Sequence, residues 1–427
     1  MTTTTSAAMT TATSTPVRRL AVVDPFGPGA LIAPAFRRLG WSCVAVTTTA
    51  GPPPVLAHTW RAGDFDTVLA YDGDDAALGR ELRALRVAGV VTGLETGGPL
   101  ADRLCARLFP GRGNLPELAD ARRDKARTHE ALAAAGLPHL RQVRTADFAR
   151  VEEWLAATGL DRADAVIVKP ARSAGTDAVR RLRPGPELRA GFAATVGRRN
   201  ALGEVEREAL VQEYAVGTEY SVDTFSVDGV HDVCGVTRYA KRSAGQVVGI
   251  YESVEFLGLD DPVCAGLVGY ARRVLDALGV RFGPMHAEIM LREDGPVLIE
   301  LNARMAGGQM PFLSRLATGR SQLDRLTGHF GGDAERSAGY ELRRHVMSVF
   351  VTAPRSGVLE NPEVLASLDR LPTAARSTVE VPADGIVART SDVFSVLGRV
   401  ILASPDRDLV LCDRARIRRI ERSLRIG

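Results

Sequence analysis

Two glutamates and an asparagine in the run HAEIMLREDGPVLIELNARMAGG, residues 286–308, are the groups best placed to do chemistry: Glu288, Glu300 and Asn302. Asp294-Gly295 is a turn signal between two stretches of alternating polarity, so the run predicts a β-hairpin. A three-residue loop from Glu293 to Gly295, with Gly295 supplying the positive φ, pairs Arg292 with Pro296. That register sets Glu288 opposite Glu300 and His286 opposite Asn302. It puts Ile289, Leu291, Val297, Ile299 and Leu301 on the other, core-facing side. Opposed residues on neighbouring strands have Cβ atoms ~5 Å apart, where like charges repel. Two carboxylates and an amide in this arrangement suit a hard cation. Magnesium takes oxygen ligands of this kind, usually together with substrate phosphates. A solvated polar face that happens to carry two acids is the equal alternative at this point.

A second group of residues lies upstream. Val166-Ile-Val-Lys169 is a buried strand ending on a lysine, followed by the small-residue loop Ala171-Arg-Ser-Ala-Gly175-Thr176. Small residues let backbone amides approach an anion, and a lysine adds a point charge for phosphate. Lys125 sits in the helical pattern DARRDKARTHEAL, where an exposed basic residue is the simpler reading. The segment Gln212-Glu213-Tyr214-Ala215 is extended; Gly217 then turns the chain into an alternating strand carrying Glu219. Extended backbone can read a purine edge, and an acid a few residues on can accept from ribose hydroxyls.

The remaining elements must position these groups. Leu20–Val23, Cys43–Val46, Thr67–Ala70 and Ala88–Thr92 read as short buried strands, with helices from the loop Pro25–Gly29 to Leu39 and from Leu100 to Leu108. Strand alternating with helix predicts a parallel α/β sheet. The first loop, GPGALIA, has two of the three glycines of a dinucleotide fingerprint and lacks the acid downstream, which argues against NAD. Helices are predicted over Asp120–Ala135, about 147–158 and Val263–Leu278, with a strand-rich stretch from Leu210 to Phe256. The polar, Gly-containing stretch Arg238–Gly249 reads as a loop able to close over a site, with Lys241 and Arg242 in reach of phosphate or a substrate carboxylate. After about Tyr340, His345–Val351 and further short strands to residue 412 read as a separate C-terminal module.

Composition narrows the function classes. The 427 residues fit roughly three domains; 45% apolar and 25% charged is ordinary for a globular chain. A net charge of +3, with dispersed arginines and only seven tyrosines and three tryptophans, gives no case for nucleic acid or an anionic membrane. No run reaches the about 18 apolar residues that a membrane span needs. Cys43, Cys105, Cys234, Cys264 and Cys412 form no CxxC pair and read as buried free thiols in a reducing cytoplasm. The head MTTTTSAAMTTATST lacks the basic and apolar regions of a signal peptide and reads as a disordered tail.

Taken in order, a helix lysine, a strand-lysine-glycine loop, an acidic hinge, and Glu-x11-Glu-x-Asn followed by Arg304 resemble the ATP-grasp superfamily of ligases across residues 115–320. VVTGLETGGPLADRL, IELNARMAGG, FVTAPRSGVL and LGRVILASPDRDLV resemble its L-amino acid ligase branch, extending the likeness to nearly the whole chain after residue 18. The resemblance implies a mixed α/β and α+β architecture. Residues 1–17 would be the tail, 18–114 a Rossmann-like N-terminal domain and 115–338 the ATP-grasp domain, with a lid subdomain near 145–215. Residues 339–427 would form a small C-terminal domain.

The resemblance also implies roles. Lys125 and Lys169 would hold the ATP phosphates, Gly175 and Thr176 would cover them, Gln212, Glu213, Tyr214 and Ala215 would face adenine, and Glu219 ribose. Gln212 departs from the family's usual Glu, which implies weakened binding. Glu288, Glu300 and Asn302 would ligate magnesium, with manganese as its substitute. Arg304, His286 and Gly307 would serve the reacting carboxylate, and Glu95, Lys241 and Arg242 the substrates. The reaction implied is ADP-forming carboxylate–amine ligation through an acyl phosphate, joining amino acids or peptide-like molecules. Small-molecule acid and amine substrates, a homodimer and a secondary-metabolic role such as dipeptide synthesis complete that expectation. The alternatives are a ligase loading an acyl group onto a carrier-protein amine or thiol, and an ATP-binding regulator without turnover.

Overall fold

Short runs of β-branched residues near the start of the chain build a parallel sheet from β1 (Arg19–Val23), β2 (Ser42–Thr47), β3 (Thr67–Ala70) and β4 (Val87–Thr92), in the order β3-β2-β1-β4. The computed structural model describes residues 17–173, 175, 177–244, 247–333, 339–393 and 395–427. All but the last residue of the expected tail, and Thr176, lie outside them. The glycines of the first loop have a packing reason. A Cβ on Gly29 would lie 2.4 Å from the Gly93 Cα, and one on Gly93 2.4 Å from the Asp24 carbonyl oxygen. The loops after β1 and β4 therefore touch backbone to backbone, and no dinucleotide is needed to explain the motif.

The rest of the chain builds a larger sheet. Its strands are β5 (Gln142–Thr145), β6 (Val166–Lys169), β7 (Arg180–Leu182), β8 (Ala209–Glu213), β9 (Thr218–Val227), β10 (Val230–Ala244), β11 (Val247–Leu257), β12 (Gly283–Arg292) and β13 (Gly295–Asn302). Their order is β13-β12-β9-β10-β11-β7-β6-β8-β5. After β14 (His345–Val351), the pair β15 (Gly357–Val358) and β17 (Ile386–Val387) stands apart, while β16 (Ala374–Ser377) joins β18 (Gly398–Ser404). The sheet branches at β11, where Val247 pairs with Arg180 of β7 while Ser253–Glu255 pair with β14. Thus β14, β16 and β18 continue this sheet, while the residues after 345 also bury a core cluster of their own, from Met347 to Ile426.

Several expectations are corrected. The helix predicted over Asp120–Ala135 runs from Lys125 to Ala134, because Asp124 turns its carboxylate onto the amides of Ala126 and Arg127 and starts the helix there. Of the stretch read as a loop, Arg238–Ala244 belong to β10 and Val247–Gly249 to β11, which pair with each other. Residues 407–412, read as the last of the short strands, open a helix, Arg407–Arg422; Asp406 caps it and Val410 and Ile417 bury one face. Cys412 is exposed, while the other four cysteines are buried.

The β12–β13 hairpin pairs Glu288 with Glu300 and His286 with Asn302, but by another route than expected. Its loop has two residues, with Arg292 opposite Gly295; one extra residue, Ile299, is then absorbed as a bulge between Glu288 and Ile289. The bulge changes the faces. Ile289, Leu298 and Leu301 enter the main core, where the helix Cys264–Ala277 lays down Leu267, Tyr270, Val274 and Leu275. Val297 and Ile299 instead cluster with Leu140, Ala215 and Met290 on the opposite face. Each large apolar side chain buried by that helix is worth roughly 1.5–3 kcal/mol, enough to make it a stiff backing for the hairpin. Tyr270 pins the bulge: its hydroxyl accepts from the Leu298 N–H at 2.9 Å and donates to the Pro138 carbonyl at 2.6 Å.

Candidate active site

Beside the hairpin lies a cavity of about 400 Å³, walled by β6, β8, the turn after β8, the β10–β11 hairpin and the bulged face of β12 and β13. Its inner end is apolar, with Leu140, Ile167, Ala215, Met290 and Ile299. None of these except Ala215 was expected at a site, since only the bulge brings Ile299 to this side. The turn after β8 passes close over β12: a Cβ on Gly217 would lie 2.2 Å from the Leu291 carbonyl oxygen, so only glycine fits. Gln212, Glu213, Tyr214 and Ala215 line this end. The Gln212 side chain donates to the Gln142 amide oxygen at 3.1 Å, while Glu213 is held by Arg141 at 2.6 Å and the Tyr214 ring lies under Arg181.

The other end is charged. Lys125, the first residue of its helix, ion-pairs with Glu300 at 3.0 Å and donates to the Ser173 carbonyl at 2.7 Å. Lys169 is buried nearby; its burial, and then the neighbouring Lys125 charge, lower its pKa to about 8. Gly175, with φ of +71°, lines this cavity as well. Glu219 pairs with Lys241 at 2.5 Å, and that ammonium stands over the Tyr239 and Tyr251 rings at 4.8 and 4.2 Å. Arg242, the next residue, pairs instead with Glu252 and Thr352 and lines neither this cavity nor the next.

The acid pair itself is held from behind. His286 bridges the carboxylates of Asp223 at 2.6 Å and Glu288 at 3.2 Å. Burial alone would lower the imidazole pKa, but the two acids outweigh it and raise it to about 10, so His286 is a cation at neutral pH. Burial would likewise raise the Glu288 pKa, yet the His286 hydrogen bond and the Lys241 charge bring it down to about 2. Glu288 is therefore ionised. Asn302 donates to Glu300 at 2.8 Å and accepts from Arg304 at 3.3 Å. Arg304 is buried and forms a two-point pair with Glu95, at 2.5 and 3.4 Å; its charge outweighs burial and lowers the Glu95 pKa.

Past this wall lies a second cavity, about 470 Å³, to which Glu288 and Glu300 also contribute. His286, Asn302, Arg304, Gly307 and Glu95 line it together with loops after β1 and residues of β14 and β18. No cluster of three or more His, Cys, Asp or Glu able to hold a metal occurs among the described residues. Two carboxylates, one of them firmly ionised, and an amide are too few to complete a magnesium shell. They fit an ion that arrives with nucleotide phosphates and keeps several waters.

Comparison with known proteins accords with this geometry. An ATP-grasp domain is matched over residues 163–311, which takes in β6 through β13. The chain is 28% identical to dapdiamide A synthase of Enterobacter agglomerans over 352 residues, 81% of this chain and 82% of that protein. Its fold is similar to the crystal structure of an L-amino acid ligase from Bacillus licheniformis, with a TM-score of 0.70, 17% identity, and coverage of 96% and 98% of the two chains. A carboxyaminoimidazole ribonucleotide synthase from Aspergillus clavatus, complexed with ATP, gives a TM-score of 0.68 at 15% identity, with coverage of 96% and 99%. The chain thus carries an ATP-grasp domain and is similar over most of its length to enzymes named as ligases and synthases.

Among the described residues, no helix is long and apolar enough to cross a membrane. Of the residues singled out from sequence, all the described ones except Arg242 come to one or both cavities. The apolar residues of the inner end, Tyr239, Tyr251 and the buried Asp223 were missed. Leu140, Ile167 and Met290 carry no chemical signal of their own, and Asp223 becomes meaningful only once β9 is seen to pair it with His286.

Proposed function

We propose that this chain is an ATP-dependent, ADP-forming ligase that joins the carboxyl group of an amino acid or peptide-like acid to the amine of a second small molecule. The observation that carries the reading is the shared wall: Glu288 and Glu300 face both the cavity with Lys125 and Lys169 and the cavity with Arg304. A phosphate-bearing ligand on one side and a carboxylate on the other would meet at that wall. The names of the relatives, dapdiamide A synthase and L-amino acid ligase, support amino acid or peptide-like substrates.

In this reading adenine enters the apolar end, against Met290 and Ile299, with the backbone from Gln212 to Ala215 at its edge. Glu219 takes the ribose hydroxyls, Lys125 and Lys169 take the phosphates, and Gly175 lets the loop backbone close on them. Glu288, Glu300 and Asn302 would hold magnesium, which when bound would neutralise phosphate charge and so ease attack at the γ-phosphorus. A substrate carboxylate oxygen attacks that phosphorus, the bond to the β-phosphate oxygen breaks, and ADP leaves. The amine nitrogen then attacks the acyl carbon; phosphate departs and the nitrogen gives up a proton. Arg304 stabilises the oxyanion between these events, and Glu95 is its positioning residue. His286 keeps Glu288 ionised. Lys241 and the two tyrosines close one side of the acyl phosphate, limiting its loss to water. The buried, unpaired thiols of four cysteines support a reducing, cytoplasmic setting.

The test is ADP release from magnesium-ATP with pools of L-amino acids and short peptides, followed by mass spectrometry of the products. An amide whose mass is the sum of two pool members less water is expected. ATP binding without ADP release in any pool would sink the amino acid reading.

A further inference from the structure

The second cavity carries one charge that the chain itself does not answer. Arg399 stands on β18 opposite Phe350 of β14, and its guanidinium lies 5.1 Å from the centre of the Phe350 ring. Its Nη1 reaches the segment after Arg304: a Cβ on Gly308 would be only 3.0 Å from it. The other charged side chains of this cavity are matched, Glu95 with Arg304, His286 with Asp223 and Glu288, and Glu300 with Lys125. Among the described residues no carboxylate lies within ion-pair distance of Arg399. Two further polar atoms of the same wall, Ser348 Oγ and Gln309 Oε1, are buried without a hydrogen-bond partner among the described residues.

A partly buried guanidinium without a counter-charge is unfavourable unless a ligand supplies one. Its planar fork matches a carboxylate better than any neutral group. In the ligase reading the carboxylate that is phosphorylated is met by Arg304, beside the wall of Glu288 and Glu300. A second carboxylate, carried by the other substrate, is what Arg399 lacks.

We propose that Arg399 binds the carboxylate of the amine-bearing substrate, so that the acceptor is a free α-amino acid. The inference rests on the ligase reading above and narrows it. An α-amino acid sets its carboxylate two bonds from the attacking nitrogen, so Arg399 would also fix the direction of attack. A carrier-protein amine brings no such group, and an uncharged amine would leave the guanidinium desolvated and alone.

The experiment starts from the active pair of L-amino acids found in the pools and replaces the acceptor by its carboxamide. The wild type should prefer the free acid by at least about tenfold in kcat/KM, the scale of one charge-assisted hydrogen bond. Arg399→Met should erase that preference and raise the KM of the acceptor, with the KM of the acid substrate within about twofold; Arg399→Lys should restore part of it. Unchanged ADP affinity by calorimetry shows that a variant is folded. If neither variant folds, the acid-against-carboxamide comparison on the wild type decides alone. Equal rates for acid and carboxamide in the wild type would overturn the proposal, as would an Arg399→Met effect confined to the acid substrate. Turnover with plain alkylamines and none with amino acids would also overturn it while leaving the ligase standing. Silence with every amino acid, carboxamide and alkylamine would instead remove the ligase reading, and this inference with it.

Discussion

The cavity that ends at Lys125 and Lys169 takes its whole wall from residues 125–300, whereas the cavity beyond the acid pair is assembled from residues as far apart as Gly27 and Arg399. Their charges differ in the same way. In the first, Lys125 and Lys241 are parked on Glu300 and Glu219, so the chain supplies stand-ins for the charges a nucleotide would bring or share. In the second, Arg304 is locked to Glu95 while Arg399 waits without a partner among the described residues. A site for a common ligand can be built locally and pre-balanced. A site for the variable substrate is collected from the whole fold and leaves part of its charge to the guest.

The largest expected effect tests the wall the two cavities share. Glu300→Gln keeps the size of the side chain and its contact with Asn302, but removes the charge opposite Glu288 and beside Lys125. ADP release should fall by about 10³-fold or more, the scale of losing a preorganised electrostatic group in a closed site. Circular dichroism and the melting temperature should stay close to wild type. Turnover like the wild type's would mean the acid pair is not the metal site, and the two cavities would lose their common chemistry.

This contrast also explains what could be read in the sequence. The first cavity was legible because its chemical residues follow one another in a fixed order, from Lys125 to Glu300. The apolar floor was not legible, because one bulged residue decides which side Ile299 takes and alternation alone assigned it to the core. The opposed glutamates were found through a loop one residue too long; the bulge then restored the pairing. The helix Arg407–Arg422 was missed because its charged face, six arginines among sixteen residues, masks a narrow apolar stripe. Arg399 was invisible for a different reason. An arginine in the sequence of a short strand says nothing until β14 and β18 are seen to set it against the far wall of a cavity.

A smaller effect, about 10–100-fold on the KM for ATP, is expected for Lys169→Ala, which removes a charged donor to phosphate. The same lysine gives the nucleotide cavity a pH signature. Because burial and Lys125 lower its pKa to about 8, the free enzyme loses this proton as pH rises through 8, and ATP must then bind with proton uptake. The KM for ATP should climb above pH 8 in the wild type and stay flatter in Lys169→Arg. The folding linkage has its own sign: between pH 8 and the usual lysine value of 10.5, the unfolded chain holds more proton than the folded one. Stability from this group therefore rises with pH across that window. A wild-type KM that is level from pH 7 to 9.5 would take Lys169 out of the phosphate role.

The smallest effect concerns Gln212, where the family's usual residue is Glu. Read alone, this departure weakens adenine binding, so Gln212→Glu should tighten it. The neighbouring strand argues otherwise. Gln142 lies directly opposite on β5, accepts from the Gln212 amide at 3.1 Å, and spends its own N–H on the Ala126 carbonyl at 2.7 Å. A carboxylate at 212 would face the Gln142 oxygen with no donor between them, and turning that amide over would abandon Ala126. One net hydrogen bond is worth about 0.5–1.5 kcal/mol, so the KM for ATP should rise by about 2–10-fold. Pairing the change with Gln142→Lys, which supplies a donor toward 212, should recover most of the loss. A single Gln212→Glu variant that binds ATP more tightly than wild type would show that the two amides are not matched to each other. The nucleotide cavity would then be less fully pre-balanced than its neighbour makes it look.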